Sequence, residues 1–218
     1  MLLPILAFDT SAAHCAAALL LPDPRDSCRV INRLEPMEKG QAERLIPLLE
    51  EVLAEGGIGW SDLKALAVGT GPGNFTGVRI SVAAARGLAL GLGIPAVGVT
   101  RLEALAYGLP RPLVVVEDAR RGEIYAQEFG RLGPDAAELT DMTDLLYRVN
   151  AETAFVGSAA GSTGIKGLVQ LEPLYPLAEA IARIGAERAL TPQPRPAPFY
   201  LRGADAAPPS DPPPVILP

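Results

Sequence analysis

Three groups of residues in this chain have the types and spacing for chemistry. Asp9-Thr10-Ser11 sets one carboxylate and two hydroxyls at the end of an apolar run over residues 2–8. Gly69, Gly71, Gly73 and Gly77 punctuate the stretch LAVGTGPGNFTGVRISVAAARGLALGL (residues 66–92). Glu117-Asp118 closes an apolar run and precedes Ala119-Arg120-Arg121-Gly122. A glycine turn between a strand and a helix points backbone N–H groups at whatever lies above the sheet edge, which suits an anion. Glycine serves there because it accepts positive φ and lets the backbone approach closely. The loop matches no standard nucleotide motif. A P-loop needs a lysine after its last glycine, and none stands between Lys64 and Lys166. The dinucleotide pattern read from Gly69 ends on Asn74, and read from Gly71 it ends on Thr76. Two readings stay open: a phosphate loop of another kind, or a tight turn feeding an interface helix. For Asp9-Thr10-Ser11 the plain alternative is turn chemistry, with Asp and Ser bonding nearby backbone. Glu117 and Asp118 are expected to cap their turn and pair with Arg120 or Arg121.

Other chemistry is absent. The single histidine, His14, excludes a two-histidine metal site. His14 and Cys15 are neighbours in a predicted strand, so they face opposite sides and are badly placed to share a proton. Cys15 is assigned to the core. No set of nucleophile, base and orienting residue emerges, so there are no catalytic and no metal-ligating residues to name. The chain of 218 residues carries a net charge of −6, with 19 Lys and Arg against 25 Asp and Glu, a poor balance for gripping nucleic acid alone. Its two cysteines show no framework spacing and suit a reducing cytosol. The first residues read as a strand and no apolar run approaches a bilayer's width, so a cytoplasmic protein without membrane contact is expected.

These residues are positioned by alternating strands and helices. Apolar residues make up 49% of the chain and aromatics only 5%, an aliphatic core that fits an α/β protein. Residues 2–21 read as a hairpin and 30–34 as a third strand. Residues 41–55 have helical spacing, with Pro47 expected to kink the helix or start it. The central helix starts near residues 75–78, with Asn74 or Thr76 as N-cap. Small residues along it let another helix come very close. Residues 94–99 form a strand and 100–107 a helix opened by the capping box Thr100 and Glu103. Pro110-Arg111-Pro112 reads as a boundary. Beyond it come a hairpin over 113–129, a helix over 139–149, a strand over 153–157 and an amphipathic helix over 177–190. The expected division is a first lobe of residues 1–109, a smaller αβ lobe of 110–205 and a proline-rich disordered tail of 206–218.

Several of these stretches together resemble the bacterial TsaB (YeaZ) family. They are Phe8-Asp9-Thr10-Ser11, Glu43-Arg44-Leu45-Ile46-Pro47, the run from Gly69 to Arg79, Gly98-Val99-Thr100-Arg101-Leu102-Glu103-Ala104-Leu105, the run from Asp118 to Tyr125, and Pro198-Phe199-Tyr200-Leu201-Arg202. The resemblance implies an actin-like ATPase (ASKHA, RNase H-like) α/β fold of two lobes with a degenerate nucleotide site. Its remnants would be Asp9, Thr10, Ser11, Gly71 and Gly73. It also implies a non-catalytic subunit that heterodimerises with a catalytic, TsaD-like threonylcarbamoyltransferase paralogue and works with a TsaE-like P-loop ATPase. That assembly forms N6-threonylcarbamoyladenosine at position 37 of tRNAs that read ANN codons. This chain would need no cofactor, ATP or ADP and a metal belonging to the partner subunit. It would reach tRNA only through the complex and form a homodimer when the partner is absent. The family's four-helix contact would fall on Glu43, Leu45, Leu49, Phe75, Val78, Arg79, Val82, Ala85, Arg86 and Ala89. The family often has His-Ser where this chain has Gln41-Ala42, which puts that histidine's contact in doubt. The rival reading is a stand-alone ASKHA ATPase or phosphotransferase built on Asp9, Thr10 and the glycine loop.

Overall fold

An apolar hairpin begins the described chain. The computed structural model describes residues 3–24, 28–150, 152–163 and 169–202, so the proline-rich tail lies outside the described residues. β1 (Ile5–Asp9) pairs antiparallel with β2 (His14–Leu21), Asp9 facing Ala16, and β3 (Arg29–Pro36) adds antiparallel to β2. α1 (Gln41–Gly56) runs unbroken through Pro47 and buries Leu45, Leu48, Leu49, Val52 and Leu53, the three-and-four spacing of an amphipathic helix. Gly57, left-handed at φ 73°, ends it. β4 (Ala65–Gly69) lies parallel to β1. α2 (Phe75–Leu92) follows, started by Asn74, whose side chain accepts from the Thr76 and Gly77 amides at 3.0 Å. β5 (Ala96–Val99) completes a sheet of order β3-β2-β1-β4-β5. α3 (Arg101–Ala106) opens with the Thr100–Glu103 capping box.

The second sheet repeats this wiring. β6 (Leu113–Asp118) and β7 (Glu123–Gly130) form its hairpin, and β8 (Gly133–Pro134) and β9 (Glu138–Asp141) pair with β7. After α4 (Met142–Arg148), β10 (Ala154–Val156) lies parallel to β6 and β11 (Gln170–Leu171) parallel to β10. The hairpin β1–β2 with parallel β4 is thus matched by the hairpin β6–β7 with parallel β10. Each first strand ends on an acid or next to one. α5 (Leu177–Arg188) follows the second sheet.

Three expectations differ from this structure. The helix expected over 139–149 starts only at Met142, because Asp141 caps it by accepting from the Asp144 amide at 2.9 Å while residues 138–141 pair with β7. α2, 18 residues with a mean hydropathy of 1.3, does have the length and composition of a membrane span. Core helices pass the same test, and its Val78, Val82 and Ala85 are buried on the sheet, so length and composition alone are weak evidence for a membrane. The lobes also exchange helices. α1 and α2 cover one face of the first sheet, around Leu6, Phe8, Leu19, Leu48, Leu66 and Val68. Its other face, around Ile5, Ala7, Ala18, Ala65 and Ala67, is covered by α5 through Ile181 and Ile184. α5 falls in sequence within the expected second lobe yet packs on the first. α3, from the first half, puts Leu102 and Leu105 against Leu113, Val115 and Phe129 of the second sheet.

Candidate functional site

Asp9 ends β1 with no exposed surface. Its Oδ1 accepts from the Ser11 amide at 3.0 Å and the Ser11 hydroxyl at 2.9 Å, and lies 2.8 Å from His14 Nε2. Burial disfavours the charge. The hydrogen bond and charge of His14, the charge of Arg101 and the Ser11 amide outweigh it and hold the carboxyl below its ordinary 3.8. Oδ2 has no partner. Asp, Ser and His thus meet, although the sequence pointed to no such set. The order is wrong for nucleophilic catalysis, since Ser11 Oγ donates to Asp9 and the base does not take its proton. Cys15, on the opposite face, is pushed up to about 11 by burial and the nearby Glu35 carboxylate, so its thiol is inert.

The glycine loop packs directly on this turn. A Cβ on Gly69 would lie 1.9 Å from Asp9 Oδ2, one on Gly73 2.2 Å from the Ser11 carbonyl, and one on Gly77 1.9 Å from the Thr10 carbonyl. Thr10 Oγ1 donates to the Gly77 carbonyl at 2.6 Å, and the Asn74 amide to the Ser11 carbonyl at 2.6 Å. The structure therefore brings Asp9, Thr10, Ser11, Gly71 and Gly73 together. The two hydroxyls and the Ser11 and Asn74 amides that would meet a phosphate are already engaged within the chain.

The facing wall comes from the second sheet. Glu117, buried near the end of β6, accepts from Arg101 Nε at 2.5 Å and, through Oε1, from the Ser158 amide at 2.7 Å. It pairs with Arg101, not with Arg120 or Arg121 as expected, because β6 points it back at the N-terminus of α3. Asp118 does cap the turn, accepting from the Arg120 amide at 2.8 Å. The Arg101 amide donates to the Gly71 carbonyl at 2.7 Å, while its side-chain Nη1 is buried without a partner among the described residues. Residues 199–202 cross from one wall to the other. The Phe199 amide donates to the Thr70 carbonyl at 2.8 Å, and Tyr200 accepts from Arg79 Nε at 2.9 Å. Arg202 donates to the Ala119 carbonyl at 2.9 Å and to Glu123 at 2.7 Å. Among the described residues no group of three or more His, Cys, Asp or Glu is placed to hold a metal. Arg101 thus lies beside Glu117 on this wall, and the Thr10 and Ser11 hydroxyls are engaged on the other. Arg101, Tyr200 and Arg202 were not read as site residues. The one signal was an acid ending the apolar run Val114-Val115-Val116, which a core strand does not need.

The residues assigned to a helical interface divide. Leu45, Leu49, Val78, Val82 and Ala85 are buried in the chain's own core, since they are the inward stripes of α1 and α2, and offer no free surface. Glu43, Phe75, Arg79 and Arg86 are exposed and Ala89 is half-buried. Arg79 lies over the Phe75 ring, 3.6 Å from its centre, and Phe75 sits 5.2 Å from Tyr200. The outward layer also carries Ala42, Ile46, Ala83, Gly87, Leu90 and Gly91, with Leu90 82% exposed. A groove of about 280 Å³ runs between the starts of the two helices, lined among others by Gln41, Ala42, Thr76 and Ile80. Gln41 donates to the Met37 carbonyl at 3.0 Å.

Two sheets of matching topology, whose first strands carry acids to a shared cleft, define an actin-like α/β protein of the ASKHA class. The family model described as tRNA N6-adenosine threonylcarbamoyltransferase, TsaD, matches residues 35–162. The tRNA threonylcarbamoyladenosine biosynthesis protein TsaB of Escherichia coli is 37% identical over 132 residues, 58% of this chain and 55% of that protein. The TsaB of Bacillus subtilis is 29% identical over 225 residues, 93% of this chain and 95% of that protein. The crystal structure of YeaZ from Pseudomonas aeruginosa superimposes with a TM-score of 0.70 at 26% identity, covering 91% of this chain and all of that one. The chain spans just over half the length of the first curated relatives it matches. It belongs to the TsaB (YeaZ) family.

Proposed function

We propose that this chain is a cytoplasmic scaffold and activator subunit, inactive alone, of the assembly that makes N6-threonylcarbamoyladenosine at position 37 of tRNA. It pairs with a TsaD-like catalytic paralogue through the outer layer of α1 and α2. One observation carries the reading. Gly87 and Gly91 lie on the open side of α2, and a Cβ on either would meet nothing within 4 Å. Glycine inside a helix costs about 1 kcal/mol relative to alanine, and nothing among the described residues requires it there. A second helix coming close does require it, and Ile46, Ala83 and Leu90 give that helix apolar contact. The relatives' names supply the pathway. The transferase family model matching residues 35–162 fits a partner of like fold, which favours helix pairing between similar faces. A TsaE-like P-loop ATPase completes the assembly, and ATP or ADP and a metal belong to the partner subunits. With a net charge of −6, this chain reaches tRNA only through the complex. Without a partner the same face pairs two copies of this chain.

Co-purification with the transferase paralogue of the same organism tests this, for wild type and Ala83→Glu. Ala83 is exposed, so the variant should melt within about 2 °C of wild type. The wild type should form a stable heterodimer and the variant should lose it. A wild type that does not co-purify, or a variant that pairs equally well, refutes the reading. ATP turnover by the single chain should stay at background; turnover above it supports a phosphotransferase instead.

A further inference from the structure

At the start of α2 one arginine is held in place by two rings. The Arg79 guanidinium lies 3.6 Å from the centre of the Phe75 ring, and its Nε donates to the Tyr200 hydroxyl at 2.9 Å. The two rings sit 5.2 Å apart. Tyr200 comes from the segment that follows α5, far from α2 in sequence. That segment does not need Arg79 as an anchor, because Phe199 is fixed to Thr70 and Arg202 to Ala119 and Glu123. The contact therefore constrains the guanidinium more than it constrains the segment. A free arginine samples many rotamers, whereas one held by a ring and a hydroxyl has already given most of them up. With one face on Phe75 and Nε engaged, the two Nη atoms are left, and they have no hydrogen-bond or ion-pair partner among the described residues. All three side chains are exposed, Phe75 by 43% and Tyr200 by 42%. Aromatic rings around a fixed arginine are the usual composition of an interface hot spot. Arg79, Ala83, Arg86 and Leu90 are spaced by three or four residues and are all exposed, so the cluster continues the open stripe of α2. Residues 75–92 contain two arginines and no acid, so α2 does not neutralise its own charge.

We propose that Arg79 is a preformed receptor for a carboxylate of the transferase subunit, and that Phe75 and Tyr200 are the residues that position it. A guanidinium with both Nη atoms free meets a carboxylate through two parallel N–H···O bonds. The partner surface that fits carries an acid opposite the first turns of α2 and apolar contact for the two rings beside it. Tyr200 thereby belongs to the interface although it lies on neither α1 nor α2. The inference rests on the heterodimer proposed above and adds the chemistry of one contact to it.

The experiment is calorimetric titration of the whole chain against the transferase paralogue at low and high sodium chloride. The variants are Arg79→Gln, Arg79→Lys, Tyr200→Phe and Arg79→Gln/Tyr200→Phe. Arg79→Gln should weaken pairing about tenfold or more at low salt and flatten its salt dependence. Arg79→Lys should fall between, because it keeps the charge but not the planar fork. Tyr200→Phe keeps the ring and loses the hydroxyl, and it should weaken pairing about threefold. In the Arg79→Gln chain the same change should do nothing further, because Tyr200 acts through the guanidinium. Each single chain should melt within about 3 °C of wild type, which separates a lost contact from a lost fold. A wild type that does not pair refutes the heterodimer and this contact with it. A wild type that pairs while Arg79→Gln pairs equally well overturns this inference alone, and so does a Tyr200→Phe effect that is the same in both backgrounds. Unchanged pairing with weaker tRNA binding by the assembled complex also overturns it, since Arg79 would then meet a phosphate. Should Arg79→Gln fail to fold, Tyr200→Phe decides, and pairing equal to that of wild type overturns the proposal.

Discussion

One oxygen of Asp9 serves Ser11 twice and His14 once while the other has no partner among the described residues, so what this residue contributes depends on its charge. Asn in its place keeps the shape and loses the charge-assisted bonds, a loss of about 2 kcal/mol at pH 7. The carboxyl is held below 3.8 in the folded chain. Its stabilisation is therefore present above the unfolded value and fades as pH falls through 3.8 toward the lower folded one. Urea unfolding of wild type and Asp9→Asn should differ by that amount at pH 7 and by roughly 1 kcal/mol less at pH 3. A gap that is constant down to pH 3 would mean that shape, not charge, matters here. At this scale the sequence disclosed residue types but not pairings. Asp9 bonding Ser11 is local turn chemistry and could be read. His14 reaches Asp9 only once the hairpin closes, and Arg101 meets Glu117 only where two sheets face each other.

Among the elements, α2 separates glycines that the fold needs from glycines that it does not. Gly77 is required, since any side chain would strike the Thr10 carbonyl. Gly87 faces open space. Gly87→Ala should raise the melting temperature of the isolated chain by about 2–3 °C, because alanine gains about 0.5–1 kcal/mol in an unstrained helix. The same change should weaken pairing with the transferase, about tenfold or more by titration. A Gly87→Ala chain that pairs as tightly as wild type would remove the main reason for placing a helix there. Caps and helical spacing made α1, α2 and α3 legible in the sequence, and the Thr100–Glu103 box stands as written. The inward residues of α1 and α2 were legible as apolar, but an apolar stripe does not say whether it meets its own sheet or another protein. Five of the ten residues assigned to the interface, among them Leu45 and Val82, turned out to meet the sheet. Residues 138–141 misled for a related reason: strand pairing with β7 overrode a sequence compatible with helix.

The whole molecule is held together by chain that crosses back. Pro110-Arg111-Pro112 marks where the strands change sheet, but it hides that α5, some seventy residues later, forms the other half of the first core. No local signal could disclose that, because amphipathic spacing gives a helix a buried face and not an address. α5 lies unusually close to the sheet at Gly185, where a Cβ would come 2.5 Å from Ala67 Cβ. Both atoms belong to stiff elements, so the strain cannot be relieved by a side-chain rotation. Gly185→Ala should therefore destabilise the chain by roughly 1–3 kcal/mol, the usual cost of overpacking, although alanine favours helix by itself. The signs at Gly185 and Gly87 are opposite for one chemical change, and only packing distinguishes them. A fragment ending at residue 109 extends the same argument. Without α5 it exposes Ile5, Ala7, Ala18, Ala65, Ala67 and Val97 as one apolar sheet face, and it should aggregate or show no cooperative melting by circular dichroism. A soluble, cooperatively folding fragment, or a Gly185→Ala chain more stable than wild type, would show that the first sheet does not depend on α5.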